Sequence, residues 1–151
     1  MQNLLCLADA GLKHGVVNKL VDGVQSYGSF AVYEANELWQ PTRQLVLERA
    51  KWLPYCEKFA TSPFLAESCN LLSLLAWLKE RKWFRPNVCI HILTDSAFLA
   101  EKCFETYKSG PPSTLKLCAH LHTVLTECMR NCPVSLIWIP GDLMKKTIIR
   151  H

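Results

Sequence analysis

The chain has 151 residues, of which 50% are hydrophobic and 20% are charged, and its formal net charge is +4. A chain of this length and apolar content can bury one sizeable core, so we expect a single domain over residues 1–151. Its longest apolar runs are too short to cross a bilayer, and its mild positive charge permits a polyanionic partner without requiring one.

The start of the chain and its cysteines predict a compartment. The first residues lack the basic segment and apolar stretch of a secretion signal. Several of the eight cysteines lie inside apolar runs, where a free thiol packs as a small hydrophobic group. We therefore expect an intracellular, reducing compartment, either the cytoplasm or the nucleus, and no membrane association.

The first third of the chain predicts three strands. Residues 4–8 form a continuous apolar run, which is typical of a strand covered on both faces. After a segment punctuated by glycines, residues 29–34 and 44–50 have strand composition, and turn residues at Asn36 and Pro41 separate them. We predict that these two strands form a hairpin.

A helix and a fourth strand are predicted next. Ser62 offers a capping hydroxyl and Pro63 occupies the first helical position, so the helix should run to about Glu80. A basic and aromatic segment, residues 81–85, leads into a second apolar run at residues 88–93. This run is predicted to be the fourth strand.

The rest of the chain predicts three helices and a fifth strand. Ser96 can cap a helix that lasts to about Lys108, and a Gly-Pro-Pro-Ser break starts another that ends near Asn131. Residues 134–139 form the fifth strand, and Asp142 can cap a short final helix. This element order indicates an α/β fold with a mixed sheet, in which right-handed crossovers place the first, fourth and fifth strands side by side.

Three acids are expected to meet at the carboxyl end of this sheet. Asp9 follows the first strand and Asp95 follows the fourth, so parallel pairing would bring them within one strand spacing, roughly 5 Å. Glu67 lies four residues before Leu71 on the buried leucine stripe of the first helix. Each acid alone could be an ordinary turn or cap residue. Together they favour a divalent metal site, because a cation relieves the repulsion between carboxylates, and oxygen ligands favour Mg²⁺ or Mn²⁺.

Four short strings, in chain order, resemble ribonuclease H. They are Leu-Ala-Asp-Ala-Gly at 7–11, Ala-Glu-Ser at 66–68, Ile-Leu-Thr-Asp-Ser at 92–96 and Ile-Trp-Ile-Pro-Gly at 137–141. The last two are most similar to domains of retroelement polymerases, which makes a larger reverse-transcriptase polyprotein a candidate context. The resemblance covers nearly the whole chain. It implies the ribonuclease H-like fold, a five-stranded mixed sheet in the order 3-2-1-4-5 flanked by helices.

The resemblance also implies a site and a reaction. The family's first three metal-binding carboxylates correspond to Asp9, Glu67 and Asp95, and we assign the fourth to Asp142. Members of the family hydrolyse the RNA strand of RNA–DNA hybrids with two Mg²⁺ or Mn²⁺ ions, so we expect an endoribonuclease of this kind. The family usually has a histidine just after its Trp-x-Pro-Gly string. Here Asp142 follows Gly141 directly, so that histidine is missing.

The substrate contacts are less closely specified. Some relatives insert a basic helix that grips the duplex, and this chain has only residues 109–113 at that place. Five residues are candidate nucleic-acid contacts: Lys79, Arg81, Lys82, Arg85 and Ser96. The alternative for the basic residues is a solvated surface with Trp83 packed in the core. His91 and Trp138, in the fourth and fifth strands, are expected to be core residues.

Two other functions stay open on the sequence. A catalytically weak or inactive module that binds nucleic acid, or supports a larger assembly, would be consistent with the missing histidine. Another nuclease with the same fold, such as a junction resolvase, would be consistent with the same acids.

Overall fold

The computed structural model describes residues 1–14, 24–52, 63–102 and 112–146. Within these ranges the chain forms five strands and four helices. In chain order they are β1 (Gln2–His14), β2 (Val24–Ala35), β3 (Pro41–Trp52), α1 (Pro63–Glu80), β4 (Val88–Thr94), α2 (Ala97–Lys102), α3 (Pro112–Met129), β5 (Val134–Trp138) and α4 (Gly141–Lys146).

The strands form one sheet in the order β3-β2-β1-β4-β5. β2 pairs antiparallel with both β1 and β3, whereas β4 pairs parallel with both β1 and β5. The predicted mixed sheet and its strand order are therefore confirmed. In the parallel half of the sheet, Ala8 of β1 lies beside Thr94, the last residue of β4, and ligands bind at the carboxyl ends of parallel strands in open α/β sheets.

The two faces of the sheet carry different cores because successive side chains of a strand alternate between faces. On one face, α1 and α3 cover the sheet; their buried leucines pack with alternate residues of the central strands, such as Leu4, Cys6, Ile90 and Ile92. On the other face, Leu5 and Leu7 of β1 pack in a smaller cluster with Met144 of α4. Packing in the larger core holds α1 beside Thr94, the last residue of β4, and Ala8 of β1.

The hairpin between β2 and β3 has the predicted turn. The Asn36 side chain accepts hydrogen bonds from the backbone N–H groups of Leu38 and Gln40, each at 3.0 Å. Trp39 takes a left-handed backbone conformation with φ 61°, and its ring stacks on His91 of β4 with centroids 3.6 Å apart. His91 is thus partly buried against an aromatic ring.

Several boundaries differ from the predicted ones. The first three strands are longer than their apolar runs, because pairing between β1, β2 and β3 continues past the buried segment. α4 begins at Gly141, since the Pro140 carbonyl accepts hydrogen bonds from the N–H groups of Leu143 and Met144. Pro140, and not Asp142, therefore occupies the position before the helix. The predicted continuation of the second helix to Lys108 lies outside the described residues.

Two further findings concern the helices and the cysteines. None of the helices in the described ranges is long and apolar enough to cross a membrane. Six described cysteines are free thiols: Cys6, Cys69, Cys89, Cys118, Cys128 and Cys132.

Candidate functional site

The register between β1 and β4 places Asp9 and Asp95 side by side. The two strands pair in parallel up to Ala8 and Thr94, so each acid is the next residue along its own strand. Neighbouring strands lie about 5 Å apart, so the backbones of the two acids are close at the same end of the sheet.

Asp9 does not end its strand, contrary to the prediction. It pairs with Ser29 of β2, and β1 continues to His14. β4 stops at Thr94 while β2 stays beside β1, so Asp9 lies where the sheet loses one neighbouring strand. The side chain is nevertheless only 7% exposed. Asp9 is therefore a buried acid beside the end of β4.

Glu67 joins these two acids from α1. It is partly buried near the start of the helix, one turn before Leu71 of the core. Burial raises its pKa to about 7; the Ser96 hydroxyl, which donates a hydrogen bond to it, lowers the pKa, and the negative charges of Asp95 and Asp9 raise it. The three acids thus lie near enough to one another for the charges of Asp95 and Asp9 to raise the pKa of Glu67.

Tyr27 is a neighbour of the acids that the sequence analysis missed. Burial raises the pKa of Tyr27, and the negative charges of Asp9 and Asp95 raise it further. The residue lies on β2, opposite Gly11. Residues 24–28 were predicted to belong to a loop, because glycines at 23 and 28 interrupt their pattern. Pairing of β1 with β2 beyond the apolar run would have placed Tyr27 opposite Gly11, two residues along β1 from Asp9.

The donor set fits a hard divalent cation in its chemistry. It consists of carboxylate oxygens, the ligands that Mg²⁺ and Mn²⁺ prefer. A cation would also relieve the burial and repulsion that raise the pKa of Glu67. In the part of the chain that is described, however, no group of three or more His, Cys, Asp or Glu side chains is arranged so that it could hold a metal ion. The acids are close together beside the end of β4, but they are not arranged as a complete set of metal ligands.

Asp142 lies at the border of this region. It is exposed in the first turn of α4, where a negative charge also stabilises a helix. The preceding residue, Gly141, lies against Asp95: a Cβ atom added there would be 3.5 Å from the Asp95 Oδ2. The start of α4 is therefore next to the acids, but the acids that act on the pKa of Glu67 are Asp95 and Asp9.

The Ser96 hydroxyl makes hydrogen bonds within the protein. Its hydroxyl is buried, and it accepts a hydrogen bond of 3.2 Å from the Leu99 N–H, which confirms the predicted helix cap. The same hydroxyl donates to Glu67. In the structure Ser96 is a partner of Glu67, and its predicted contact with nucleic acid stays a prediction.

Trp138 is not a core residue, so that prediction is wrong. Its side chain is 49% exposed, and its indole Nε1 donates a hydrogen bond of 3.2 Å to the backbone carbonyl of Asp95. The reason is its position: Trp138 is the last residue of β5, which is the edge strand of the sheet. An exposed indole therefore lies directly beside the acids.

The predicted basic contacts lie at the opposite end of α1 from the acids. Glu67 and Lys79 are twelve residues apart on this helix, which is about 18 Å at 1.5 Å per residue. The Arg85 guanidinium lies over the ring of Trp83, 5.0 Å from its centroid, and Trp83 is partly buried against the core. A groove of about 480 Å³ at this end is lined by residues that include Lys79, Lys82, Arg85 and Arg130.

Comparison with known proteins supports the fold. No protein-family model matches the chain, and no curated protein is similar to it. Among solved structures, LC11-RNase H1, isolated from compost by a metagenomic approach, has a TM-score of 0.67 at 16% identity over 97% of this chain and 90% of its own. The same enzyme in complex with an RNA/DNA hybrid has a TM-score of 0.62 at 16% identity over 93% of this chain and 87% of its own.

A viral protein shows the same likeness. The protease-reverse transcriptase of prototype foamy virus has a TM-score of 0.62 at 11% identity, over 99% of this chain but only 19% of its own length. These identities are low, so the likeness concerns the fold. Together with the strand order and the element sequence, it shows that this chain has the ribonuclease H-like fold.

Proposed function

We propose that this domain hydrolyses the RNA strand of RNA–DNA hybrids, using two Mg²⁺ or Mn²⁺ ions held by Asp9, Glu67, Asp95 and Asp142. The observation that carries the proposal is the β1–β4 register, which sets Asp9 beside Asp95 at the end of the sheet where Glu67 arrives from α1. The likeness in fold to an RNase H1 that has been solved with an RNA/DNA hybrid supports the substrate class.

The acids and Ser96 would have different roles in this hydrolysis. Cations bound here would lower the pKa of an attacking water and stabilise the leaving oxygen of an in-line displacement. Asp9, within β1, and Asp95, directly after β4, supply negative charge. Glu67 has a pKa of about 7, and a cation held here would favour its deprotonated carboxylate. The Ser96 hydroxyl donates to the Glu67 carboxylate and so helps to orient it.

The expected turnover is slow. Asp142 follows Gly141 directly, at the place where the resemblance leads one to expect a histidine that assists proton transfer. The proton for the leaving oxygen would then come from solvent. Gly141 lies against the Asp95 carboxylate, so Asp142, the next residue, is the fourth acid that would help to hold the ions.

The test is cleavage by the purified protein of a labelled RNA–DNA hybrid in Mg²⁺, in Mn²⁺ and in chelator. We expect metal-dependent cuts in the RNA strand that leave 3′-hydroxyl and 5′-phosphate ends. Duplex DNA and duplex RNA serve as control substrates. Cleavage of branched DNA in preference to the hybrid would favour a junction resolvase.

A second candidate is a non-catalytic module that binds nucleic acid or supports an assembly. Two observations favour it. No group of side chains among the described residues is arranged to hold a metal ion, and the histidine expected after the Trp-x-Pro-Gly string is missing. Calorimetric titration separates the two candidates. A folded protein with no saturable response to Mg²⁺ or Mn²⁺ would be such a module.

We also propose that the cations at the far end of α1, namely Lys79, Arg81, Lys82 and Arg85, contact phosphates of the bound duplex. Replacing both Lys82 and Arg85 by Ala should weaken binding of all sequences alike. It should also lower the slope of log K against log salt by about 2, or about 1 for each lost phosphate contact. Fluorescence anisotropy with a labelled hybrid in chelator, over a range of salt concentrations, measures both effects.

The matched control is Lys116→Ala, which removes an exposed cation of α3 that lies outside the groove. The opposing explanation is that these cations only stabilise the carboxyl ends of the helices. In that case the double variant would lose stability and keep the salt slope of the parent.

A further inference from the structure

Asn70 is a buried polar residue that joins α1 to the sheet. It is 2% exposed, and its side-chain Nδ2 donates hydrogen bonds to the backbone carbonyls of Asp9, at 3.2 Å, and Ser29, at 2.9 Å. Asp9 and Ser29 face each other in the β1–β2 register. One amide group therefore ties the helix to two strands at the level of the first acid.

The leucines of α1 contact the sheet in a different way. Leu71, Leu74, Leu75 and Leu78 pack on the apolar face, and apolar packing has no preferred direction. Hydrogen bonds require a short distance and a narrow angle. A buried amide without partners is destabilising, so the helix is most stable where Asn70 makes both bonds.

Glu67 lies close to Asn70 on the same helix. Residues three apart on a helix lie on the same face, so Asn70 lies one turn after Glu67 on the face toward the acids. A shift of α1 along its axis would break the Asn70 hydrogen bonds and move Glu67 away from Asp9 by the same amount.

We infer that Asn70 is a positioning residue: its two hydrogen bonds to β1 and β2 set the place of Glu67 relative to Asp9. This inference rests on the proposed function, because the distance matters if the carboxylates share divalent cations. Asn70 need not touch the substrate or the ions. It acts through the helix that carries Glu67.

Asn70→Leu is the test, since leucine has nearly the same size and no donor. We expect the dissociation constant for Mn²⁺, measured by calorimetry without substrate, to rise by about 10- to 100-fold, as for other partners that orient metal ligands. The matched control is Leu72→Ala, a partly buried residue of the same helix. It should lower the stability and leave the Mn²⁺ affinity unchanged.

The outcomes separate the inference from the proposed function. Asn70→Leu with lowered stability and the parent's Mn²⁺ affinity would overturn the positioning role. If the parent binds no Mn²⁺, the proposed function fails, and crystal structures of parent and variant decide the role of Asn70. A shift of Glu67 relative to Asp9 supports it, and an unchanged spacing contradicts it. Asn70→Ser, which keeps one donor, replaces the leucine variant if that protein does not fold.

Discussion

Asp95→Asn is expected to lower metal-dependent cleavage of the hybrid by more than about 100-fold, because loss of a direct ligand should exceed the usual cost of removing a group that only supports one. Asp95 follows β4 at the position beside Asp9. Asparagine keeps the shape that packs against Gly141, and the backbone carbonyl that accepts from Trp138 is unchanged. The variant should therefore fold while its site loses one negative charge.

The measurement is single-turnover cleavage in saturating Mg²⁺, together with thermal unfolding of the parent and the variant. Glu37→Gln is the matched control, since it neutralises an exposed acid in the turn between β2 and β3. It should cleave as the parent does. An Asp95→Asn protein that retains a cleavage rate within tenfold of the parent's would remove this residue from the site.

Glu67→Gln should stabilise the metal-free protein at pH 8 and abolish its metal affinity. Burial is the largest cause that raises the pKa of Glu67 to about 7, from the ordinary value of 4.5. The folded state thus holds a proton that the unfolded state has already lost between these two pH values. The stability contributed by that proton is fully present below about pH 4.5 and is lost as the pH rises to about 7.

Glutamine removes this loss, because it stays neutral at every pH. With allowance for the partial exposure of the carboxylate, we expect the variant to gain about 1–2 kcal/mol over the parent at pH 8 and little at pH 4.5. Urea unfolding at the two pH values measures the difference. Added Mg²⁺ should stabilise the parent at pH 8 and leave the variant unchanged, since only a state that binds the ion is stabilised by it.

Glu80→Gln is the matched control for this experiment, because Glu80 is an exposed acid at the far end of the same helix. It should respond to pH and to Mg²⁺ as the parent does. If Glu67→Gln shows no gain over the parent at pH 8, then burial does not raise the pKa of Glu67 in the folded protein.

The strands and helices were predictable because their signals are local. A continuous apolar run identified β4, and Pro63 after a capping hydroxyl identified the start of α1. The order of these elements, with the handedness of crossovers, was enough to place Asp9 and Asp95 on adjacent strands. Glu67 was found because it continues the leucine spacing of the same helix.

The tertiary structure alone decided what surrounds the acids. Asn70 and Asp9 are 61 positions apart and meet through a hydrogen bond, and Trp138 reaches the carbonyl of Asp95 across 43 positions. Tyr27 is a neighbour of the acids because the pairing of β1 with β2 extends beyond the apolar segment of β2. Lys79, near the end of α1, lies about 18 Å from Glu67, because twelve residues of helix separate them. Apolar spacing over a few residues specifies an element, whereas register and helix docking depend on contacts between residues that are distant in the chain.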